Sequence, residues 1–400
     1  MKKRDIYLKR LIDFRDKSVI KVITGVRRCG KSSLLDLFRE HLLNDGVPES
    51  AVIKMNFESI YFEDFKDYRK LHDYINAKLN PGGMTYILLD EIQQVPDWEK
   101  AVNSLRLEKN TDIYLTGSNA WLLSSELSTF LSGRYVEIKM LPLSFKEYLD
   151  FNDYPRDGDL QAYFNQYLEF GGFPGVTELR EYKSSIGSFL NGIYNTIIMK
   201  DVVLRSAVRD PALLDSVTRF MAGNIGNITS TKKVSDYLTS AGRKTTSDTI
   251  DNYLQFLENA YILYRARRYD LKGKLNLKTH EKFYFVDTGV RNNLLGFRDK
   301  DYGHVLENIV YFELLRRGYE VSIGKLGTLE VDFVAAKPGS IVYYQVTVTM
   351  LADETREREL KPLKSIPDHY DKVVLSMDRT PVTDFNGIKS VNLLDFLLSE

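Results

Sequence analysis

The chain has 400 residues, beyond the length of about 250–300 at which one hydrophobic core stops growing, so at least two domains are expected. Its 55 basic and 55 acidic side chains cancel, which removes any case for nucleic acid or membrane binding from net charge and leaves only local patches to consider. Apolar runs fall short of the ~20 residues of a membrane span, Met1-Lys2-Lys3-Arg4 is not followed by a signal-peptide core, and the lone Cys29 excludes an internal disulfide or a thiolate zinc cluster; a cytoplasmic protein is the expectation. Residues 1–18 place Ile6, Leu8, Leu11, Ile12 and Phe14 among charges and predict a short helix. Val19, Ile20, Val22 and Ile23 then suit a buried parallel strand, and Leu34, Leu35, Leu37 and Phe38 recur at helical spacing.

Between strand and helix stands Gly25-Val26-Arg27-Arg28-Cys29-Gly30-Lys31-Ser32, with two glycines followed by Lys and Ser at the spacing of a phosphate loop. Glycines let backbone N–H groups turn inward around a phosphate, and the helix N-terminus adds its positive dipole end. Gly25, Val26, Arg27, Arg28, Cys29, Gly30, Lys31, Ser32 and Ser33 are therefore the candidate nucleotide-binding residues. Lys31 is placed to reach the β- and γ-phosphates of ATP, and the Ser32 hydroxyl to bind its Mg²⁺. Cys29 reads either as a small residue at a variable position or as a redox-sensitive thiol.

Ala51 to Phe57 predicts a second strand, and Tyr68, Leu71, Ile75 and Leu79 a helix stopped by Pro81-Gly82-Gly83. Tyr86-Ile87-Leu88-Leu89 then delivers Asp90 and Glu91 to the C-terminal end of a strand, the edge at which open parallel sheets bind ligands. This has the form of a Walker B element, with Asp90 holding Mg²⁺ and Glu91 orienting the attacking water. Asp112 to Thr116 is a further strand ending in Gly117-Ser118-Asn119, where Asn119 is either a polar group near the γ-phosphate or a helix cap. Arg134, in Leu131-Ser132-Gly133-Arg134, is either a transition-state finger or a surface ion pair.

From 150 to 215 the pattern is helical, interrupted by Gly171 to Gly175, and the roles of Lys200, Asp201 and Arg205 stay open. Val234, Tyr237 and Leu238, a turn at 241–245, a second helix from Thr249 to Leu257 and the β-prone Tyr261 to Tyr264 give the order of a winged helix, a unit that docks on DNA or on protein. Next, Arg265, Arg267, Arg268, Lys272, Lys274, Lys278 and Lys282 outweigh Asp270 and Glu281, a local charge of +5 that suits phosphates.

These motifs together, with Pro142-Leu143-Ser144-Phe145, Gly171-Gly172-Phe173-Pro174 and Tyr284-Phe285-Val286-Asp287-Thr288-Gly289, resemble the bacterial and archaeal AAA+ ATPases whose C-terminal domain is restriction-endonuclease-like. The resemblance implies an α/β protein: an AAA+ parallel-sheet core over 1–149, a helical lid over 150–216, a winged helix over 217–270 and a nuclease-like domain over 271–400. By that likeness Lys31, Ser32, Asp90 and Glu91 form the nucleotide site, Asn119 or Ser118 is the sensor, and Arg134 is the finger, in cis or from a neighbouring protomer of a homo-oligomer. In the last domain Glu307 on a helix, Asp332 on a strand and Gln345 on the next strand match the metal ligands of such nucleases. Thr347 stands where the pattern wants Lys, so the domain reads as degenerate; a lysine from elsewhere, such as Lys361 on the following helix, is the candidate substitute. The expectation is an ATP-hydrolysing switch that uses ATP and Mg²⁺ and has a possible nucleic-acid partner. The alternatives are an ATP-gated DNA nuclease and a nucleotide-loaded interaction module without catalysis.

Overall fold

The computed structural model describes residues 2–123, 133–273, 275–296, 301–379 and 383–399, with the side chains of Trp121, Leu123, Thr383 and of 276–279 outside that description. Leu131, Ser132, Lys274 and the Lys278 side chain therefore lie outside the described residues. The chain divides into two compact units, Met1–Pro142 with Asn259–Tyr261, and Leu143–Glu258 with Ile262–Glu400.

In the first unit five strands, β1 (Ile20–Thr24), β2 (Val52–Asn56), β3 (Thr85–Asp90), β4 (Thr111–Gly117) and β5 (Tyr135–Lys139), form a sheet in the order β2-β3-β4-β1-β5. All four pairings are parallel. Every residue of β1 and β3 is buried, as expected where helices cover both faces of a parallel sheet. Ile20, Val22, Leu89 and Leu115 pack with Leu71, Ile75, Trp98 and Val102 of the helices Tyr68–Asn76 and Trp98–Leu105 in one core. The register sets Thr24 against Gly117 and Lys139, and Asn56 against Asp90. Thus the phosphate loop and the acid pair leave the sheet at one edge.

The second unit opens with the helix Phe145–Asn152, which the Pro-Leu-Ser-Phe motif starts. Ser144 accepts from the Glu147 N–H (3.1 Å), and Glu147 accepts from the Ser144 N–H (2.8 Å), satisfying two donors that the first turn leaves bare. Helices continue to Ser247–Asn259, and a mixed eight-stranded sheet follows in the order β12-β13-β11-β10-β9-β8-β6-β7. Its strands are β6 (Leu263–Asp270), β7 (Leu275–Phe285), β8 (Glu320–Leu326), β9 (Leu329–Lys337), β10 (Ser340–Val346), β11 (Asp371–Ser376), β12 (Thr383–Asp384) and β13 (Ile388–Asn392). The β6–β7 pair, which the sequence assigns partly to a winged helix, is the edge of this sheet. β6 pairs in parallel with β8, Arg268 against Ile323, so its open side is satisfied by the C-terminal strands.

The two glycine motifs of this unit meet. The Asp287 carboxylate accepts from the N–H groups of Gly172 (2.6 Å) and Val290 (2.9 Å). A Cβ on Gly171 would lie 2.2 Å from that carboxylate, and one on Gly289 would lie 2.0 Å from the Phe170 carbonyl oxygen. Close approach, not chemistry, accounts for both. Among the described residues no helix is long and apolar enough to cross a membrane.

Candidate active site

The site is built where β1 runs out. Gly25, at φ +144°, turns the chain so closely against the next segment that a Cβ would lie 2.1 Å from the Met140 carbonyl oxygen. Gly30, at φ +105°, starts the helix Lys31–Asn44 without a capping side chain, which leaves the first helical N–H groups free for an anion. Cys29 is fully buried with its thiol 3.5 Å from the Met140 carbonyl oxygen, and burial pushes that thiol pKa up. A thiol kept protonated is a packing residue, so the redox reading of Cys29 has no support. Behind the loop, Arg4 is buried and donates to the carbonyls of Cys29 (3.0 Å), Leu141 (2.9 Å) and Pro142 (3.3 Å). Sequence reading missed Arg4, because an arginine in a basic N-terminus looks like a solvated charge.

Lys31 Nζ donates to the Gly25 (3.1 Å) and Val26 (3.2 Å) carbonyls and lies 3.8 Å from Glu91 Oε1. At the end of β3 Asp90 is fully buried; its Oδ1 accepts from Thr116 Oγ1 (2.5 Å), while its Oδ2 is buried without a hydrogen-bond partner. Burial pushes the Asp90 carboxyl pKa up, against the opposing pull of the Thr116 and Ser32 hydroxyls. An orphaned buried carboxylate oxygen costs free energy unless something binds it. A carboxylate beside a hydroxyl is the hard oxygen set that Mg²⁺ takes, so these residues fit the ion.

Glu91 sits at φ +52°, a left-handed conformation that costs a non-glycine residue on the order of 1 kcal/mol. Its N–H donates to Thr116 Oγ1 (2.9 Å), and its Oε2 accepts from Gln93 Nε2 (2.5 Å) and Ser118 Oγ (3.1 Å). One hydroxyl, Thr116 Oγ1, therefore ties Asp90 to the Glu91 backbone, and a second, on Ser118, fixes the Glu91 carboxylate. Asn119 is buried just beyond the end of β4, but the hydrogen bond to Glu91 comes from Ser118.

Arg134 is exposed at the other end of the sheet. Its carbonyl accepts from the Ile20 N–H (2.9 Å), at the start of β1, and its Nη1 donates to Asn103 Oδ1 (3.3 Å). With Tyr135 opposite Ile20, Arg134 lies five strand residues before the level of Thr24, roughly 16 Å at about 3.3 Å each and beyond the reach of an arginine side chain. This placement counts against the cis reading of the finger.

A family model described as an AAA domain matches residues 17–149, and a model of a domain of unknown function matches 161–301. An uncharacterized protein of Haemophilus influenzae is 42% identical over 398 residues, covering 99% of this chain and 98% of its own. Another, of Methanocaldococcus jannaschii, is 30% identical over 367 residues, covering 87% of this chain and 79% of its own. The chain belongs to this AAA-domain family. The Walker-type ATPase of Pyrococcus abyssi shares its fold, with a TM-score of 0.52 at 16% identity over 74% of this chain and 96% of that one.

In the second unit of this AAA-domain protein the residues predicted as metal ligands do converge, but around an ammonium. Lys282 Nζ lies 3.2 Å from Glu307, 2.9 Å from Glu330 and 3.7 Å from Asp332. Gln345 Oε1 accepts from the Asp332 N–H (3.4 Å). Among the described residues no group of three or more His, Cys, Asp or Glu is arranged to hold a metal ion. Lys361 is exposed, and the cation beside these acids is Lys282 of β7. No motif spacing pointed to it.

The basic stretch is partly consumed inside the fold. Arg265 pairs with Glu258 (2.9 Å), Glu281 (3.1 Å) and Asp251 (3.7 Å), and Lys282 is internal. The helix Ser247–Asn259, which a winged helix would present to DNA, exposes Asp248, Asp251, Asn252 and Gln255 and carries no Lys or Arg. Carboxylates facing phosphates repel them.

Proposed function

We propose that this AAA-domain protein binds and hydrolyses ATP between the 25–33 loop and the Asp90-Glu91 strand end. The observation that carries the reading is the buried, partnerless Asp90 Oδ2 at the C-terminal edge of β3, in register with the end of the strand that enters the loop. Mg²⁺ held there by Ser32 and Asp90 would supply neutralisation of the β- and γ-phosphate charge. Lys31, whose partners in the loop are neutral carbonyls, exchanges them for phosphate oxygens. Glu91, held by Ser118 and Gln93, orients the attacking water and accepts its proton. Arg134 serves the site of a neighbouring copy, where a cation facing the γ-phosphoryl oxygens stabilises their developing charge. We read the rest as a helical lid, a winged-helix-like segment and a nuclease-like domain without nuclease chemistry, which present a nucleotide-dependent surface to a partner. The acidic face of the helix Ser247–Asn259 counts against docking that helix in a DNA groove.

Phosphate release by the full-length protein tests this. Wild type should release phosphate from Mg²⁺-ATP and Lys31→Ala should not, with no stimulation by single- or double-stranded DNA. Failure of the wild type to retain or turn over ATP would remove the assignment; stimulation by DNA would reverse the reading of the second unit.

A further inference from the structure

The acid cluster in the second unit is wired differently from a site that waits for an ion. Glu307 comes from the helix Tyr302–Arg316, Glu330 and Asp332 from β9, and Gln345 from β10. Lys282, on β7, is 4% exposed, and an ammonium is not left in such a place without counter-charge. Glu307, Glu330 and Asp332, all within 3.7 Å of Nζ, supply that counter-charge. Two of the remaining carboxylate oxygens have protein neighbours. Asp332 Oδ2 accepts from the Val346 N–H (2.9 Å), and Glu307 Oε1 faces His304 Nδ1 at 3.3 Å. The Gln345 amide is locked at both ends, since Nε2 donates to Glu359 Oε2 (2.9 Å) while Oε1 accepts from Asp332.

We propose that the Lys282 ammonium is a resident cation which takes the place of a divalent metal at the centre of this sheet, so that the second unit is held together, and kept metal-free, by its own side chain. A divalent ion bound by carboxylates needs oxygen ligands at about 2.0–2.6 Å. With Nζ already 2.9–3.7 Å from three of these acids, an ion and the ammonium cannot share the centre without direct like-charge contact. The ammonium neutralises one of three carboxylates and offers no open coordination position and no Lewis acidity. What it provides is cohesion between β7, the helix Tyr302–Arg316 and β9, three elements far apart in sequence. The inference goes beyond the ATPase reading and stands if that reading fails.

The test is Mn²⁺ binding to the full-length, nucleotide-free chain, followed by calorimetry and by electron paramagnetic resonance, with Asp90→Ala in every variant to silence the first unit. Wild-type Lys282 should show no Mn²⁺ site that depends on Asp332. Lys282→Ala and Lys282→Gln should each gain one equivalent of Mn²⁺, at least about tenfold tighter than any binding to the parent, and adding Asp332→Asn should abolish the gain. Should the Lys282 variants fail to fold alone, Mn²⁺ should restore a cooperative melting transition that Asp332→Asn again removes. Mn²⁺ bound through Asp332 while Lys282 is intact would overturn the proposal. So would Lys282 variants that neither gain a site when folded nor respond to Mn²⁺ when unfolded.

Discussion

At the edge of the first sheet Asp90 keeps one carboxylate oxygen buried and unpartnered, whereas in the second sheet Glu307, Glu330 and Asp332 converge on Lys282. Both are clusters of acids beside a lysine. Lys31, however, is bound mainly by two loop carbonyls and touches Glu91 only at 3.8 Å, while Lys282 is engaged by three carboxylates at once. The difference teaches what distinguishes a ligand site from a structural knot built of the same residue types. A site for an exchangeable ligand bears an unsatisfied polar group that the ligand satisfies, and a knot has spent its lone pairs on the protein.

The comparison can be broken most sharply at Arg134, the proposed finger from a neighbouring copy. Arg134→Ala should lower phosphate release by about 10³-fold or more at saturating ATP while leaving nucleotide binding intact. Mixing it with Lys31→Ala, which has the finger but no competent loop, should recover part of the activity. Undiminished turnover in Arg134→Ala would sink the trans assignment. Glu91→Gln comes next, with a loss of about 10²–10⁴-fold in turnover and retained ATP affinity, read by single-turnover and equilibrium-binding measurements. Loss of binding in place of turnover would make Glu91 a scaffold acid like those around Lys282.

Thr116→Val probes the wiring of the open site. It leaves both Asp90 Oδ1 and the Glu91 N–H without their shared hydroxyl, at about 1–3 kcal/mol for a buried group. Turnover should fall about 10–100-fold, and Thr116→Ser should restore it; equal defects in the two variants would show that the hydroxyl alone does not account for the loss. A smaller effect is expected at Arg4→Met, which strips three carbonyls of their donor behind the loop. The denaturation midpoint should drop by an amount equivalent to about 1–3 kcal/mol, with an unchanged KM for ATP if the loop refolds normally. A raised KM without a stability loss would instead make Arg4 part of loop positioning.

How much of this could be read from the sequence follows the same division. The strand order of chemistry, with Lys31 and Ser32 after β1 and Asp90 and Glu91 after β3, was legible because short runs of four to eight residues encode it locally. Ser118 was named beside Asn119, but only the structure shows it donating to Glu91, since strand register decides which polar side chain points at the acid. Arg134 was found as a motif, yet its remoteness from its own loop depends on the pairing of Ile20 with Tyr135, which no local pattern carries. In sequence Lys282 belongs to a basic stretch, yet it is among the most buried charges of the described residues. Its partners lie 25 to 50 positions away. The same long-range pairing moved β6 from a winged helix into the second sheet.

Asp287 offers a third treatment of a buried acid, neither open nor ion-paired, and sharpens the contrast through pH. Burial raises its carboxyl pKa to about 6, against the opposing effect of the N–H groups of Gly172, Val290 and Gly289. In an unfolded chain an Asp titrates near about 3.9. Between about pH 4 and pH 6 the folded protein therefore holds a proton that the unfolded chain has released, and this group's contribution to stability falls as pH rises through that window and levels off above it. Denaturation midpoints of wild type and Asp287→Asn, measured from pH 4.5 to 7.5, isolate the effect, because the other carboxylates cancel in the difference. The wild type should lose stability relative to the variant up to about pH 6 and run parallel to it beyond. A difference that grows in favour of wild type with rising pH would mean that the backbone N–H groups hold Asp287 ionised, and that a ring of amides can do for a buried carboxylate what Lys282 does for three.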